Sequence, residues 1–233
     1  TLMGPLLGGL IAEQFGMRNV FLLVGFFLFL VSALTWWGIE EDYQQISKEK
    51  HLSSWELLTS IQHKGILLGL FLTSMTIQMI GQSISPILPL YVRELGQSDN
   101  VIFVSGLIVS AMGISSILTS GWMGKLGDKI GNHRLLLLAL LYSGILYIFC
   151  ALAQTPFQLG LLRFLFGIGT GALMPGVTAL LNRMTPKEGI SRIFSYNQLF
   201  FYVGGVLGPL MGSSIAMHVN YHWVFYGTAI LAF

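Results

Sequence analysis

Long apolar runs separated by short polar stretches set the pattern of this chain. A helix needs about 20 mostly apolar residues to cross the hydrocarbon core of a bilayer. On that measure the sequence predicts an incoming helix over residues 2–15 and full spans at about 20–38, 66–90, 101–120, 135–152, 159–180 and 194–216. A further span opens near Trp223 and is still apolar at Phe233. The strands of a membrane barrel are short and alternate apolar with polar positions, which these runs do not. The predicted class is an all-α transmembrane bundle. Thr1 is no initiator, and residues 2–15 lack the basic leader and cleavage site of a signal peptide, so a piece of a longer chain is expected.

Polar positions inside the runs carry the candidate chemistry. In the span 66–90, Ser74, Gln78 and Gln82 recur four apart and Ser85 extends the stripe, so all share one helix face. Amides cost free energy against lipid but not against a wet cavity. The stripe therefore lines a substrate path or bonds a neighbouring helix. Residues 194–216 open with Tyr196, Asn197 and Phe201 among other aromatics; Asn197 and Phe201 share a face that either packs helices together or meets a flat cationic ligand. Arg163 lies four residues from the outer end of its span, about 6 Å along a helix. It either anchors the span by reaching the surface or faces the pathway.

A second pattern is repetition. Gly204-Gly205-Val206-Leu207-Gly208-Pro209-Leu210-Met211-Gly212 echoes Gly4-Pro5-Leu6-Leu7-Gly8-Gly9 at an offset of 204 positions, which sets Gly4 on Gly208, Pro5 on Pro209 and Gly8 on Gly212. Two copies of one large unit are implied. Small residues four apart let helices approach closely, and proline kinks them, although both are common in membrane helices anyway.

Charge fixes an orientation. Of twelve Lys and Arg, one set of connections holds Lys48, Lys50, Lys64, Lys125, Lys129, Arg134, Arg183, Lys187 and Arg192, and the other only Arg18 and Arg93. The first set is expected to be cytoplasmic. The long connection 39–64 is in that set. Its Ser53-x-x-Glu56 has capping-box spacing, followed by Trp55, Leu58 and Ile61 at helical intervals. It reads as a short interfacial helix joining two halves, 1–38 and 65–233, or as a plain solvated connector.

Composition removes other classes. Charged residues make up 9% and hydrophobic residues 54%, against about 25% charged in soluble domains. A net charge of +2 with scattered basic residues gives no nucleic-acid surface. The single cysteine, Cys150, excludes an internal disulfide and a thiolate metal cluster. An embedded enzyme would need paired carboxylates or clustered histidines at depth. Between residues 65 and 216 the acidic residues Glu94, Asp99, Asp128 and Glu188 are all expected in loops, and the histidines lie in loops or at span edges.

The connection after residue 120 contains Gly124-x-Leu126-x-Asp128-Lys129-x-Gly131, then Asn132-His133-Arg134. Gly124, Gly127 and Gly131 suit a tight reversal. Asp128 could sit at a helix N-terminus or pair with Lys129 or Arg134 as a switchable latch. This segment resembles the cytoplasmic gating-loop signature of the major facilitator superfamily, in its copy between spans eight and nine. Gly4-Pro5-x-x-Gly8-Gly9 resembles the end of the fifth-span motif of its antiporter members, and Leu159-x-x-x-Arg163-x-x-Phe166-Gly167-x-Gly169-x-Gly171 echoes the fourth-span motif, in which an arginine is linked to proton transfer. The whole run of the chain is similar to multidrug efflux pumps of that superfamily, from late span five to early span twelve. The resemblance implies two six-helix halves that rock about a central site in the plasma membrane. It implies proton-driven export of small amphipathic drugs by a monomer, with no cofactor or metal. The rivals are an exporter of one metabolite or siderophore and, remotely, an embedded enzyme. No carboxylate lies in the spans between residues 65 and 216, so the proton-coupling group is expected outside this chain.

Overall fold

A computed structural model describes residues 3–38, 64–97, 99–186 and 189–233. Among these residues the chain is helical throughout: α1 Met3–Phe15, α2 Met17–Gly38, α3 Lys64–Gln82, α4 Leu88–Glu94, α5 Val101–Ile130, α6 Asn132–Ala151, α7 Pro156–Met184, α8 Ile190–His218 and α9 Tyr221–Ala232. Six of them, α2, α3, α5, α6, α7 and α8, are long and apolar enough to cross a membrane. Lys48, Lys50, Lys187 and the Ser53–Glu56 pattern lie outside the described residues.

Local chemistry sets the boundaries and shifts several from their expected places. Thr155 accepts the N–H of Gln158 at 3.2 Å and Pro156 opens α7, so this helix begins three residues earlier than its apolar run. Asn220 caps Tyr221 at 2.6 Å and starts α9 ahead of Trp223. The run 66–90 is not one helix. Pro86 has no N–H to continue the ladder, and Ser85 N–H instead bonds the Gln82 carbonyl at 3.2 Å in a tightened turn. The chain re-forms a helix only at α4, with Pro89 in its first turn. Glu94 and Asp128, expected in loops, close α4 and occupy the last turns of α5.

The reversal after α5 also differs. The helix runs straight through Gly124 and Gly127 to Ile130, and Gly131 alone, at φ +93°, turns the chain into α6. Gly127 has another use: a Cβ there would fall on the Asn132 amide oxygen.

The helices pack by close backbone approach and by hydroxyl groups donating across to carbonyls. Gly167 and Gly171 of α7 lie against Met112, Ser115 and Ser116 of α5, and Gly169 against Tyr142 of α6. Ser115 donates to the Phe164 carbonyl at 2.5 Å and Tyr142 to that of Leu165 at 3.0 Å. Such glycines serve packing, which accounts for Gly-x-Gly-x-Gly in a transmembrane run. Across the bundle, α8 lies on α3, and α9 lies on α6 and α8. One apolar cluster joins α3, α6, α7 and α8 (Leu67, Phe71, Leu136, Leu173, Ile193); another joins α4, α6 and α9 (Tyr91, Tyr147, Val224, Phe225). At one end Arg183 meets Asp128; at the other, Glu13 at the end of α1 accepts the Phe103 N–H at 3.1 Å and caps α5. α2 touches α1 and buries no residue; its Phe21, Phe29 and Trp36 face outward.

Candidate functional site

Two cavities of about 510 Å3 and 380 Å3 lie between α3, α5 and α7 and share Gly81, Met112 and Gly113 in their walls. Gly4 and Pro5 of α1 close the larger one. The stripe on α3 divides between them. Gln82 and Ser85 line the larger, joined by Ser85 Oγ donating to Gln82 Oε1 at 3.0 Å. Gln78 lines the smaller, with Phe201, Thr170 and Ser116. Ser74 lines neither: it is fully buried and donates to Asn197 Oδ1 at 2.7 Å, tying α3 to α8. One stripe therefore serves both alternatives, helix bonding at its first member and cavity lining at the next three.

Arg163 does not reach the surface. The earlier start of α7 puts it about 10 Å into the helix, and its side chain is only 6% exposed, in the wall of the larger cavity. Its guanidinium lies 5.6 Å from the centre of the Tyr147 ring and 5.9 Å from that of Phe166. Nη1 reaches the Met112 sulfur at 3.9 Å, and Nε is buried without a hydrogen-bond partner. Tyr147 is held in place by its hydroxyl, which donates to the Ile80 carbonyl at 2.6 Å.

The remaining candidates fall elsewhere. Tyr196 packs on the apolar cluster of α3 and α7, away from both cavities. Asp128 pairs with Arg183 of α7 at 4.0 Å, rather than with Lys129 or Arg134, and both partners are largely exposed (75% and 63%). At the C-terminal end of α5 a carboxylate opposes the helix dipole, so the N-terminal role does not apply. An exposed pair of this kind contributes about 0–1 kcal/mol. Leu126, Lys129 and Arg134 are exposed and Gly124 meets nothing within 4 Å of a built Cβ. Gly204 and Gly208 lie against the carbonyls of Met75 and Met79 on α3, Gly212 against that of Ser83 just past its end, and Pro209 sits within α8. A Cβ at Gly4 or Gly8 would meet nothing within 4 Å among the described residues, while one at Gly9 would stand 3.3 Å from the Ile102 oxygen and the Phe103 Cα.

Three residues escaped the sequence pattern. Gly106 receives the Pro5 carbonyl, Met112 joins both cavities, and Asn132 is buried at the start of α6 with its Nδ2 unpaired, beside a cavity of about 210 Å3. Asn132 could have been suspected, as an amide following a turn glycine. Gly106 and Met112 have no local signal, because their neighbours come from other helices.

The family described as the Major Facilitator Superfamily matches residues 1–113 and again 66–233. The Multi-drug resistance efflux pump PmrA of Streptococcus pneumoniae is 61% identical over 230 residues, which is 99% of this chain and 58% of that protein. The PmrA homolog of Lactococcus lactis is 50% identical over 231 residues (99% and 57%), and Multidrug resistance protein MdtG of Escherichia coli 44% identical over 230 residues (98% and 56%). The chain thus spans somewhat over half the length of these relatives.

Proposed function

The chain belongs to the major facilitator superfamily, and from that premise we propose that it forms the larger part of a carrier exporting amphipathic drugs from the cell by alternating access. The basic ends of the helices face the cytosol, as does the connection 39–64 between the halves 1–38 and 65–233. The carrier works as a monomer in the plasma membrane, and the proton gradient drives it without a cofactor.

The observation that carries this reading is the pair of adjoining cavities in an otherwise apolar bundle, with Gln78, Gln82 and Arg163 in their walls and Phe201 opposite. A cavity of several hundred Å3 with apolar walls and a few polar groups suits a drug-sized amphipathic ligand. The relatives that match most of the chain are named as a multi-drug resistance efflux pump and a multidrug resistance protein. Proton coupling needs a titratable carboxylate at depth. The described carboxylates Glu13, Glu94, Asp99 and Asp128 are at helix ends or in connections, so the coupling group belongs to the length of the relatives beyond this chain.

The test is ethidium accumulation in everted vesicles carrying the full-length protein. Uptake that collapses with an uncoupler is expected, falling about tenfold when Gln78 and Gln82 are both replaced by Leu. No uptake of ethidium or of several unrelated drugs would overturn the export reading, and unchanged uptake in the double variant would return the stripe to helix packing.

A further inference from the structure

We propose that the larger cavity holds the carboxylate of an amphipathic anion or zwitterion against Arg163, with the ligand's flat apolar body extending past Gly81 and Gly113 toward Phe201. This deepens the export reading and rests on it only for the claim that the bound molecule is carried.

Arg163 is the single described cation inside the bundle, since Arg18, Lys64, Arg93, Lys125, Lys129, Arg134, Arg183 and Arg192 all lie at helix ends or in connections. A guanidinium cannot shed its proton, so burying it requires a compensating charge or a complete set of hydrogen-bond acceptors. Neither is present. Among the described residues no carboxylate lies within 4.0 Å of it. Nε has no partner, and the rest of the guanidinium meets the Met112 sulfur, the Tyr147 and Phe166 rings and the Tyr147 hydroxyl oxygen, all uncharged groups that attract a cation without neutralising it. The rings instead fix the plane of the fork, which suits bidentate capture of a carboxylate.

The neighbouring groups point to the same charge. Ser85 Oγ donates to one lone pair of Gln82 Oε1, and the amide N–H2, which has no partner among the described residues, is a donor for the cavity that Gln82 lines. The wall thus combines a fixed cation with a second donor and carries no anionic side chain. A cationic group would meet repulsion beside Arg163, so a cation such as ethidium is left to the smaller cavity, with Gln78 and the Phe201 face. An inorganic anion would fill little of about 510 Å3 and would leave the apolar walls of Val109 and Leu88 bare, so the ligand needs apolar bulk as well. The smaller cavity supplies the continuation: it shares three wall residues with the first, and a side chain added at Gly81 would enter open space. Phe201 in its wall offers a face for a flat ring.

The experiment is fluorescence titration of the purified full-length protein in lipid nanodiscs. The probes are 1-pyrenebutyrate and a pyrenebutyl-trimethylammonium of matched size. Arg163→Gln should weaken the carboxylate probe at least tenfold and shift the ammonium probe less than twofold; Arg163→Lys should lie between, because it keeps the charge and loses the fork. Gln82→Leu, which leaves the charge untouched, should weaken the carboxylate probe about three- to tenfold and decides the matter if Arg163→Gln fails to fold. Equal weakening of both probes in these variants would overturn the proposal, since the arginine would then answer a carboxylate of the protein itself or serve packing. So would unchanged carboxylate affinity, or no carboxylate binding by the parent protein. Selective binding without vesicle transport of either probe would sink the export reading and leave this site standing; transport of the ammonium probe without selective binding would do the reverse.

Discussion

The two copies of the glycine–proline pattern make the same kind of contact in opposite ways. On α8, Gly204, Gly208 and Gly212 give up their side chains so that the carbonyls of Met75 and Met79 on α3 and of Ser83 just past its end can approach; a Cβ at Gly208 would stand 2.7 Å from the Met79 oxygen. On α1 a Cβ at the equivalents Gly4 and Gly8 would meet nothing within 4 Å among the described residues. There the motif supplies the carbonyl: Pro5 presents its oxygen 2.5 Å from where a Cβ of Gly106 would be, and the space is surrendered by α5. The proline differs as well. Pro209 lies deep in α8 and leaves the Gly205 carbonyl without its helical donor, whereas Pro5 sets its own carbonyl against α5. A small-residue motif therefore gives a helix the ability to be approached, and the partner decides whether that ability is used.

The sharpest way to break this comparison is to fill both copies. Gly212→Leu drives a side chain into the Ser83 backbone, which cannot move aside as a side chain could. A loss of about 3 kcal/mol or more is expected, seen as a collapse of folded yield or a large fall in thermal midpoint in detergent. Gly8→Leu, at the matching position, enters open space and should leave the midpoint unchanged or raise it slightly, since leucine favours a helix over glycine by up to about 1 kcal/mol. Equal damage at both positions in the full-length protein would mean that another element covers that face of α1, and the contrast would vanish.

A smaller effect is expected where α1 meets α5. Gly106→Ala sets a methyl group against the Pro5 carbonyl and should cost about 1–3 kcal/mol by the same measurement, whereas Gly4→Ala should cost nothing measurable. An indifferent Gly106→Ala would show that α1 yields easily at this contact.

The mildest change concerns the polar tie between α3 and α8. Ser74→Ala removes the donor to Asn197 and should cost about 1 kcal/mol, with ethidium transport retained. Transport lost without loss of stability would return Ser74 to the pathway, in the company of Gln78 and Gln82.

The stripe shows how far periodicity carries. Spacing of four places Ser74, Gln78 and Gln82 on one helix face, but that face is long enough to meet three environments: Asn197 on α8, the cavity near Phe201 and the cavity of Arg163. The break after Gln82 was written in Pro86 and Pro89, as a missing donor always is, yet it lay within an apolar run that looked continuous. Arg163 lies deeper than its apolar run implies for a local reason, the Thr155–Pro156 cap, and a distant one, the Tyr147 and Phe166 rings that hold it, decides between its two alternatives. The turn at Gly131 carried three glycines in its signature, and only positive φ distinguished the one that turns from Gly127, which makes room for Asn132.

Apolar length, proline position and the scarcity of charge determined from the sequence alone that this chain is a bundle of membrane helices, because each acts within a few residues along the backbone. The repeat across 204 positions and the loop signature were likewise legible in one dimension. What only the tertiary structure decided was which glycines are filled by a neighbour, which amide bonds a helix and which lines a void, and that the buried Arg163 has no acid beside it among the described residues. Those outcomes depend on where a second helix lies, and on a helix surface that is apolar nearly all round, no local pattern says which side that helix will take.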